Sequence, residues 1–329
     1  MKDTLGRSID YLRISITDRC NLRCEYCMPA GGVPVRPHDE ILRYEEIERL
    51  ALVARSLGFE HFRITGGEPL ARRGSAAFIG RFAGRLAGSD VALTTNGVLL
   101  APVAAQLRGA GLGRVNVSLD TLDSAKFARL TRRDLWAEAW AGIEESLAVG
   151  FDPVKVNVVL IKGFNDDEIH AFADLTAGRP LHVRFIELMP LGEGTGMPEG
   201  FMSADEATAT LERSGGLVPL AGAGVPAGAG PAESYRWRGG LGTVGFISAL
   251  SHMFCDRCNR LRLTADGRLL PCLAGGEHFD LRGPLRDGAG DDQLAAVFRL
   301  AVEAKPASHH MADAPAEAGR VRRMSRIGG

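Results

Sequence analysis

Six cysteines are the residues of this chain best suited to chemistry, and they fall into two sets of three. Cys20, Cys24 and Cys27 are spaced C-x3-C-x2-C; Cys255, Cys258 and Cys272 are spaced C-x2-C-x13-C. Structural zinc takes four protein ligands, and a four-iron cluster held by four thiolates is coordinatively closed. Three thiolates instead leave one metal position for a small molecule. The second set keeps a zinc alternative, because His252 or His278 could complete a three-Cys, one-His site. The first set has no histidine between Met1 and Pro37, and His38 is the nearest.

The elements that must position these groups show in the apolar pattern. Across residues 11–187 short apolar runs alternate with helical patterns, which predicts a parallel sheet. Strands are expected at 11–16, 62–65, 91–95, 114–118, 153–159 and 182–187. A helix over 44–57 puts Ile47, Leu50, Ala51 and Ala54 on one stripe. Another is expected to start at Asn165 with Glu168 as its capping-box partner. Six such units make a partial or complete barrel, or an open doubly wound sheet, and periodicity does not choose between them.

Alternation within the strands is more specific. One face holds Leu12, Ile14, Phe62, Ile64, Val115, Val117, Val154, Val156 and Phe185, suited to packing under helices. The opposite face holds Arg13, Arg63, Thr94, Asn116, Ser118, Lys155, Asn157 and Arg184. A closed eight-stranded barrel fills its interior with branched apolar side chains. Four cations converging on a lumen instead imply water or a large anionic ligand there. An antiparallel sheet with one wet face is the plainer reading, but the intervening helices speak against it.

At 329 residues the chain is long enough for two domains, or one large barrel with an appendage. The character changes after Pro190, so the expected division is 1–190 and 191–329. The later part shows a helix near Ser203 with Glu206 in the capping-box place, strand-like pieces at 235–237 and 243–247, and a helix over 292–303. Residues 214–232 carry no charge, yet six Gly and three Pro make them a loop and not a membrane span. Lys and Arg number 39 against 40 Asp and Glu, so no global field marks a nucleic-acid or membrane-surface binder. No secretory signal opens the chain, which places it in the cytoplasm with its thiols reduced.

The C-x3-C-x2-C spacing with Tyr26 before the last cysteine resembles the radical S-adenosylmethionine (SAM) superfamily. There three cysteines hold a [4Fe-4S] cluster and SAM binds the fourth iron. Gly66-Gly67-Glu68-Pro69 resembles that superfamily's contact to the methionine amino group. A closer resemblance is to the GTP 3′,8-cyclase (MoaA) family of molybdenum cofactor biosynthesis, carried by residues 12–29, 62–70, 94–97, 116–120, 155–159, 184–187, 254–273 and 327–329.

That resemblance implies an α/β fold: a partial (β/α)6 TIM-like barrel with the first cluster, and a C-terminal extension with a second cluster and a Gly-Gly tail. It implies conversion of GTP to (8S)-3′,8-cyclo-7,8-dihydro-GTP, the first step of the pathway, through a 5′-deoxyadenosyl radical that takes the ribose 3′ hydrogen. It assigns Cys20, Cys24 and Cys27 to one [4Fe-4S] cluster and Cys255, Cys258 and Cys272 to another. Tyr26, Gly67, Ser118 and Met189 then match SAM contacts, and Arg13, Arg63, Thr94 and Lys155 match GTP contacts, with Arg184 added for its charge. Arg260 and Arg262 stand beside the guanine, and Gly328 and Gly329 enter the active site. Glu68 and Asp120 are expected to orient ligands or structure, since radical cyclisation needs one late protonation. The expected partners are GTP, an electron donor, the next enzyme of the pathway and a second copy in a homodimer, with no membrane and no nucleic acid. Two alternatives stay open: a radical SAM peptide-modifying enzyme with an auxiliary cluster, and a non-catalytic iron-sulfur or zinc protein.

Overall fold

The structure, a computed structural model, describes residues 1–34, 36–228, 230–311 and 324–328. Strands and helices alternate along its first part: β1 Tyr11–Ser15, α1 Tyr44–Ser56, β2 His61–Thr65, α2 Ser75–Arg85, β3 Asp90–Thr95, α3 Ala104–Gly109, β4 Arg114–Ser118, α4 Ser124–Thr131, α5 Trp136–Ala148, β5 Val154–Leu160, α6 Ile169–Gly178 and β6 Leu181–Glu187. Each strand pairs with the next in parallel. This is the partial (β/α)6 barrel, and the antiparallel reading falls.

Register explains why one face is core. Leu12 lies opposite Phe62 and Ile64 opposite Leu93, with Leu93 opposite Val115, so the apolar rows align from strand to strand. These residues are buried, as are Ile47, Leu50, Ala51 and Ala54 of α1, which pack over the sheet. The same register aligns the cations on the other face. Arg13 stands between Arg63 of β2 on one side and Arg262 of a later strand on the other. Neighbouring strands are only about 4.8 Å apart, so three guanidiniums share one row across the sheet.

The chain after Pro190 extends this sheet at both margins. It contributes α7 Ala204–Glu212, β7 Leu217–Pro219, β8 Glu233–Trp237, β9 Thr243–Ile247, β10 Arg260–Leu263, β11 Arg268–Leu270, β12 Phe279–Asp280, α8 Arg282–Arg286, α9 Asp291–Glu303 and a short terminal helix Met324–Ile327. The order is β12-β11-β10-β1-β2-β3-β4-β5-β6-β9-β8-β7. Strand β9 adds in parallel to β6, and β10 adds in parallel to β1. The loop from β9 to β10, which carries Cys255 and Cys258, therefore spans the open side of the barrel.

Two local expectations meet different outcomes. Ser203 and Glu206 form the capping box: Glu206 N–H donates to Ser203 Oγ at 3.2 Å and Ser203 N–H to Glu206 Oε2 at 2.9 Å. Asn165 and Glu168 do not. Helix α6 starts at Ile169 after a single turn of 3-10 helix over Asp166–Glu168. The Asn165 amide donates to the Asp120 and Val159 carbonyls, while Glu168 accepts from Thr121 Oγ1 and Leu122 N–H. Tertiary partners claim both side chains before a cap can form. Among the described residues no helix is long and apolar enough to cross a membrane. Part of the uncharged 214–232 stretch forms β7, a short edge strand absent from the sequence expectations.

Candidate active site

The first triplet lies in the loop after β1, at the end of the parallel strands where sites are usually built. Its backbone turns tightly, with Cys27 N–H donating to Cys24 O at 3.0 Å. The Gly66-Gly67-Glu68-Pro69 stretch runs alongside: Gly67 N–H donates to Thr17 O and Glu68 N–H to Arg19 O, both at 2.7 Å. A Cβ on Gly67 would stand 2.4 Å from Arg19 O, so only glycine permits this approach. The Glu68 carboxylate is buried, which lifts it to about 7. It accepts from Asn96 N–H, Leu70 N–H and Thr95 Oγ1, joining the ends of β2 and β3.

Burial raises all three thiols, Cys20 to about 11, Cys27 to about 12 and Cys24 well above its ordinary value. Neighbouring thiolates and Asp120 reinforce the rise at Cys24 and Cys27. Three such groups ionise together only against strong local positive charge, which iron supplies. Tyr26 Oη donates to Asp120 Oδ2 at 2.7 Å, and Asp120 Oδ1 accepts Val159 N–H at 2.8 Å; burial holds Asp120 up at about 6. Gly194 N–H reaches Tyr26 O at 2.9 Å just beyond Met189. Ser118 ends β4. Tyr26, Gly67, Ser118 and Met189 thus all lie at the same end of the barrel.

The second triplet lines a cavity of about 190 Å³ together with Arg13, Arg63, Thr94, Arg184, Arg260 and Arg262. Residues 260 and 262 alternate on β10 and both reach this wall. Burial alone would raise the Cys258 thiol, but Arg260 and Lys305 beside it outweigh that and bring it down to about 6. Arg63 Nε donates to Tyr11 Oη, and Arg184 Nη2 donates to Asn157 Oδ1 at 2.6 Å and Asn116 Oδ1 at 2.8 Å. Lys155 lies outside this cavity, in an adjoining one that shares Arg184. Its Nζ donates to Ala227 O at 2.6 Å, and burial, followed by repulsion from Arg184, Arg114 and Arg63, brings it down to about 6.

The terminal helix connects the two triplets. Met324 lines the cavity, Ser325 N–H bonds the Cys27 thiol, and Gly328 O accepts from Arg262 Nη1. Gly328 has φ +75°, and a Cβ there would stand 2.9 Å from Thr65 Cγ2. Gly329 lies outside the described residues.

The donor sets fit iron-sulfur clusters better than zinc. His252 is paired with Asp205 at 2.8 Å on the surface and His278 with Arg268 at 3.1 Å, so neither serves the second triplet. Among the described residues, no three His, Cys, Asp or Glu side chains lie close enough to share one ion. Sequence pattern missed Tyr11, although its place two residues before Arg13 puts it on the cationic face. It also gave no role to Phe254, at the head of the 254–273 stretch, whose ring lies 4.9 Å under the Arg260 guanidinium.

Residues 14–176 match the model of the radical SAM superfamily, and residues 181–311 match the molybdenum cofactor synthesis C family. The GTP 3′,8-cyclase of Pelotomaculum thermopropionicum is 52% identical over 331 residues, covering 100% of both chains. Those of Heliobacterium modesticaldum and Moorella thermoacetica are 51% and 49% identical, again over the full length of both. Among solved structures, Streptococcus suis SuiB bound to precursor peptide SuiA superposes with a TM-score of 0.60 at 16% identity, covering 89% of this chain and 67% of that one. A likeness that distant speaks to the fold alone, whereas identity near one half over the full length of both chains speaks to kinship. The chain belongs to the GTP 3′,8-cyclase family, within the radical SAM superfamily.

Proposed function

We propose that this protein converts GTP to (8S)-3′,8-cyclo-7,8-dihydro-GTP, the opening reaction of molybdenum cofactor biosynthesis, using SAM and two [4Fe-4S] clusters. The observation that carries this is the row Arg63, Arg13 and Arg262 on three adjacent strands, in one cavity with the second triplet. Like charges set side by side on a sheet are destabilising unless an anion separates them. A triphosphate carries about four negative charges near neutral pH and accepts bidentate guanidinium contacts. Cys20, Cys24 and Cys27 would hold the cluster that binds SAM, and Cys255, Cys258 and Cys272 the one facing the base. When bound, the first cluster and SAM supply one-electron reductive cleavage, which makes the radical that activates the ribose.

The protein's own residues do the rest. Arg13, Arg63, Arg184 and Lys155 hold the phosphates at the floor, with Thr94 beside Arg63. Arg262, in the row with Arg13 and Arg63, links the phosphates to the base, where Arg260 stands beside the second triplet, and Gly328 closes the lumen by engaging Arg262. Tyr26, Gly67, Ser118 and Met189 seat SAM at the opposite end. Residues 1–190 thus make the radical, and 191–329 position the purine. The cytoplasm, with reduced thiols, an electron donor, the next enzyme of the pathway and a second copy of the chain available, is the fitting setting.

The test is incubation of anaerobically reconstituted protein with SAM, GTP and a strong reductant, followed by mass analysis. 5′-Deoxyadenosine and a cyclised nucleotide are expected in equal amounts. Deoxyadenosine formed equally without nucleotide would overturn the assignment of GTP.

A further inference from the structure

Two buried cations sit behind the second triplet, and neither is marked by sequence pattern. The chain's first residues fold back through a Lys2–Ser8 bridge, and Asp3 closes the turn. Its carboxylate accepts from Leu5 N–H at 3.0 Å, Arg7 N–H at 2.8 Å and Arg7 Nε at 2.6 Å. With Nε held there, the rest of the guanidinium faces the cysteine loop. Nη1 donates to Cys255 O at 2.7 Å, and Nη2 to Lys305 O at 3.2 Å and Pro306 O at 2.8 Å.

Lys305 follows α9 and completes the pattern. Its Nζ donates to Arg260 O at 2.8 Å and to Pro271 O at 2.9 Å, one carbonyl just past Cys258 and one just before Cys272. It also hydrogen-bonds the Cys258 thiol, and the His309 N–H bonds the Cys255 thiol. Each of the three cysteine-bearing stretches is therefore tied to Arg7 or Lys305, and the two are tied to each other. Arg7 is 9% and Lys305 5% exposed. A buried ammonium needs opposite charge, and Lys305 interacts with Cys258, Cys272 and Cys255, with the cation Arg7 also near. Its natural counter-charge is thiolate.

We propose that Arg7 and Lys305 are positioning residues of the second triplet, together fixing its three loops, with Lys305 supplying the positive charge that sets the reduction level of the cluster held there. This rests on reading Cys255, Cys258 and Cys272 as cluster ligands. Outer groups that donate to ligands or carry fixed charge tune metal sites in this way. Arg7 has its role through backbone carbonyls and Lys305 through both backbone and thiolates, so they predict different failures.

The experiment uses the full chain, reconstituted anaerobically, and compares wild type with Lys305→Gln, Lys305→Arg, Arg7→Gln and Arg7→Lys by iron analysis, electron paramagnetic resonance and redox titration. Cys258→Ser identifies the signal of the second cluster. Lys305→Gln keeps a donor and drops the charge: it should retain its iron yet shift the second signal's midpoint negative, by at least a tenfold change in reduced-to-oxidised ratio, about 59 mV for one electron. Lys305→Arg should restore the midpoint. Arg7→Gln should broaden that signal and lower its iron, with the first cluster unchanged; should it not fold, Arg7→Lys, which cannot reach all its carbonyls at once, is read instead. An unmoved midpoint in Lys305→Gln, or a native signal in the Arg7 variants, overturns the proposal. Iron content that Cys258→Ser does not change would instead sink the ligand assignment beneath it.

Discussion

Replacing Lys155 by methionine should change how many protons the protein takes up when it binds nucleotide. Lys155 is 5% exposed, and its burial, with Arg184, Arg114 and Arg63 nearby, brings it from 10.5 to about 6. At pH 7 such a group is charged in about one molecule in ten. A bound triphosphate favours the charged form, so binding should draw about nine-tenths of a proton onto Lys155. The same shift has a sign in the free protein. The folded value lies below the unfolded one, so stability from this group is present above 10.5 and is lost as pH falls towards 6; Lys155→Met removes that loss. Calorimetry of GTP binding without reductant, at pH 7 in two buffers of unlike ionisation enthalpy, reads the uptake. The γ-phosphate's own titration is common to both proteins and cancels in the difference. Wild type should take up about nine-tenths of a proton more than Lys155→Met. It should also bind roughly 10- to 150-fold tighter, the worth of a charged hydrogen bond of about 1.5–3 kcal/mol. Equal proton uptake by the two proteins would refute the placement of phosphate beside Lys155.

Cys24→Ser and Cys258→Ser should each reduce the iron of reconstituted protein from about eight to about four atoms per chain, and spectra should lose a different component in each. Gly67→Ala places a methyl 2.4 Å from a backbone carbonyl, so the loop before Cys20 must move; iron at the first triplet should fall while the second keeps its own, with a melting temperature lower by several degrees. Gly328→Val meets both a φ of +75° and Thr65 at 2.9 Å, so the tail should leave Arg262. Its cyclised product, measured by mass analysis, should drop at least tenfold with iron content unchanged.

The two-residue period of a strand made the lumen readable: Arg13, Arg63 and Arg184 declare themselves as polar positions in otherwise apolar runs, and the structure brings them into one cavity. Cysteine spacing carried equal weight, because three thiolates within eight residues can face one centre without help from the rest of the chain. Strands β7, β11 and β12 escaped notice because two or three residues are too few to show a period. Asn165 and Glu168 misled because their side chains are spent on Asp120, Val159 and Thr121, partners fixed by the packed barrel and not by local sequence. Arg7 was invisible for a related reason: its contact with Lys305 spans 298 positions.

Strands β9 and β10 both come late in the chain yet lie on opposite rims of the parallel sheet, and Asn259 binds Asp10 across 249 positions. During synthesis, the six earlier strands must wait with the backbone of β1 and β6 unpaired on their outer sides, and such raw rims invite pairing with other chains. Long-range pairing of this kind also slows assembly. A nascent chain halted near residue 190 should therefore be sticky and dependent on chaperones, and its release from them should coincide with the arrival of the segment that also carries the second set of thiols.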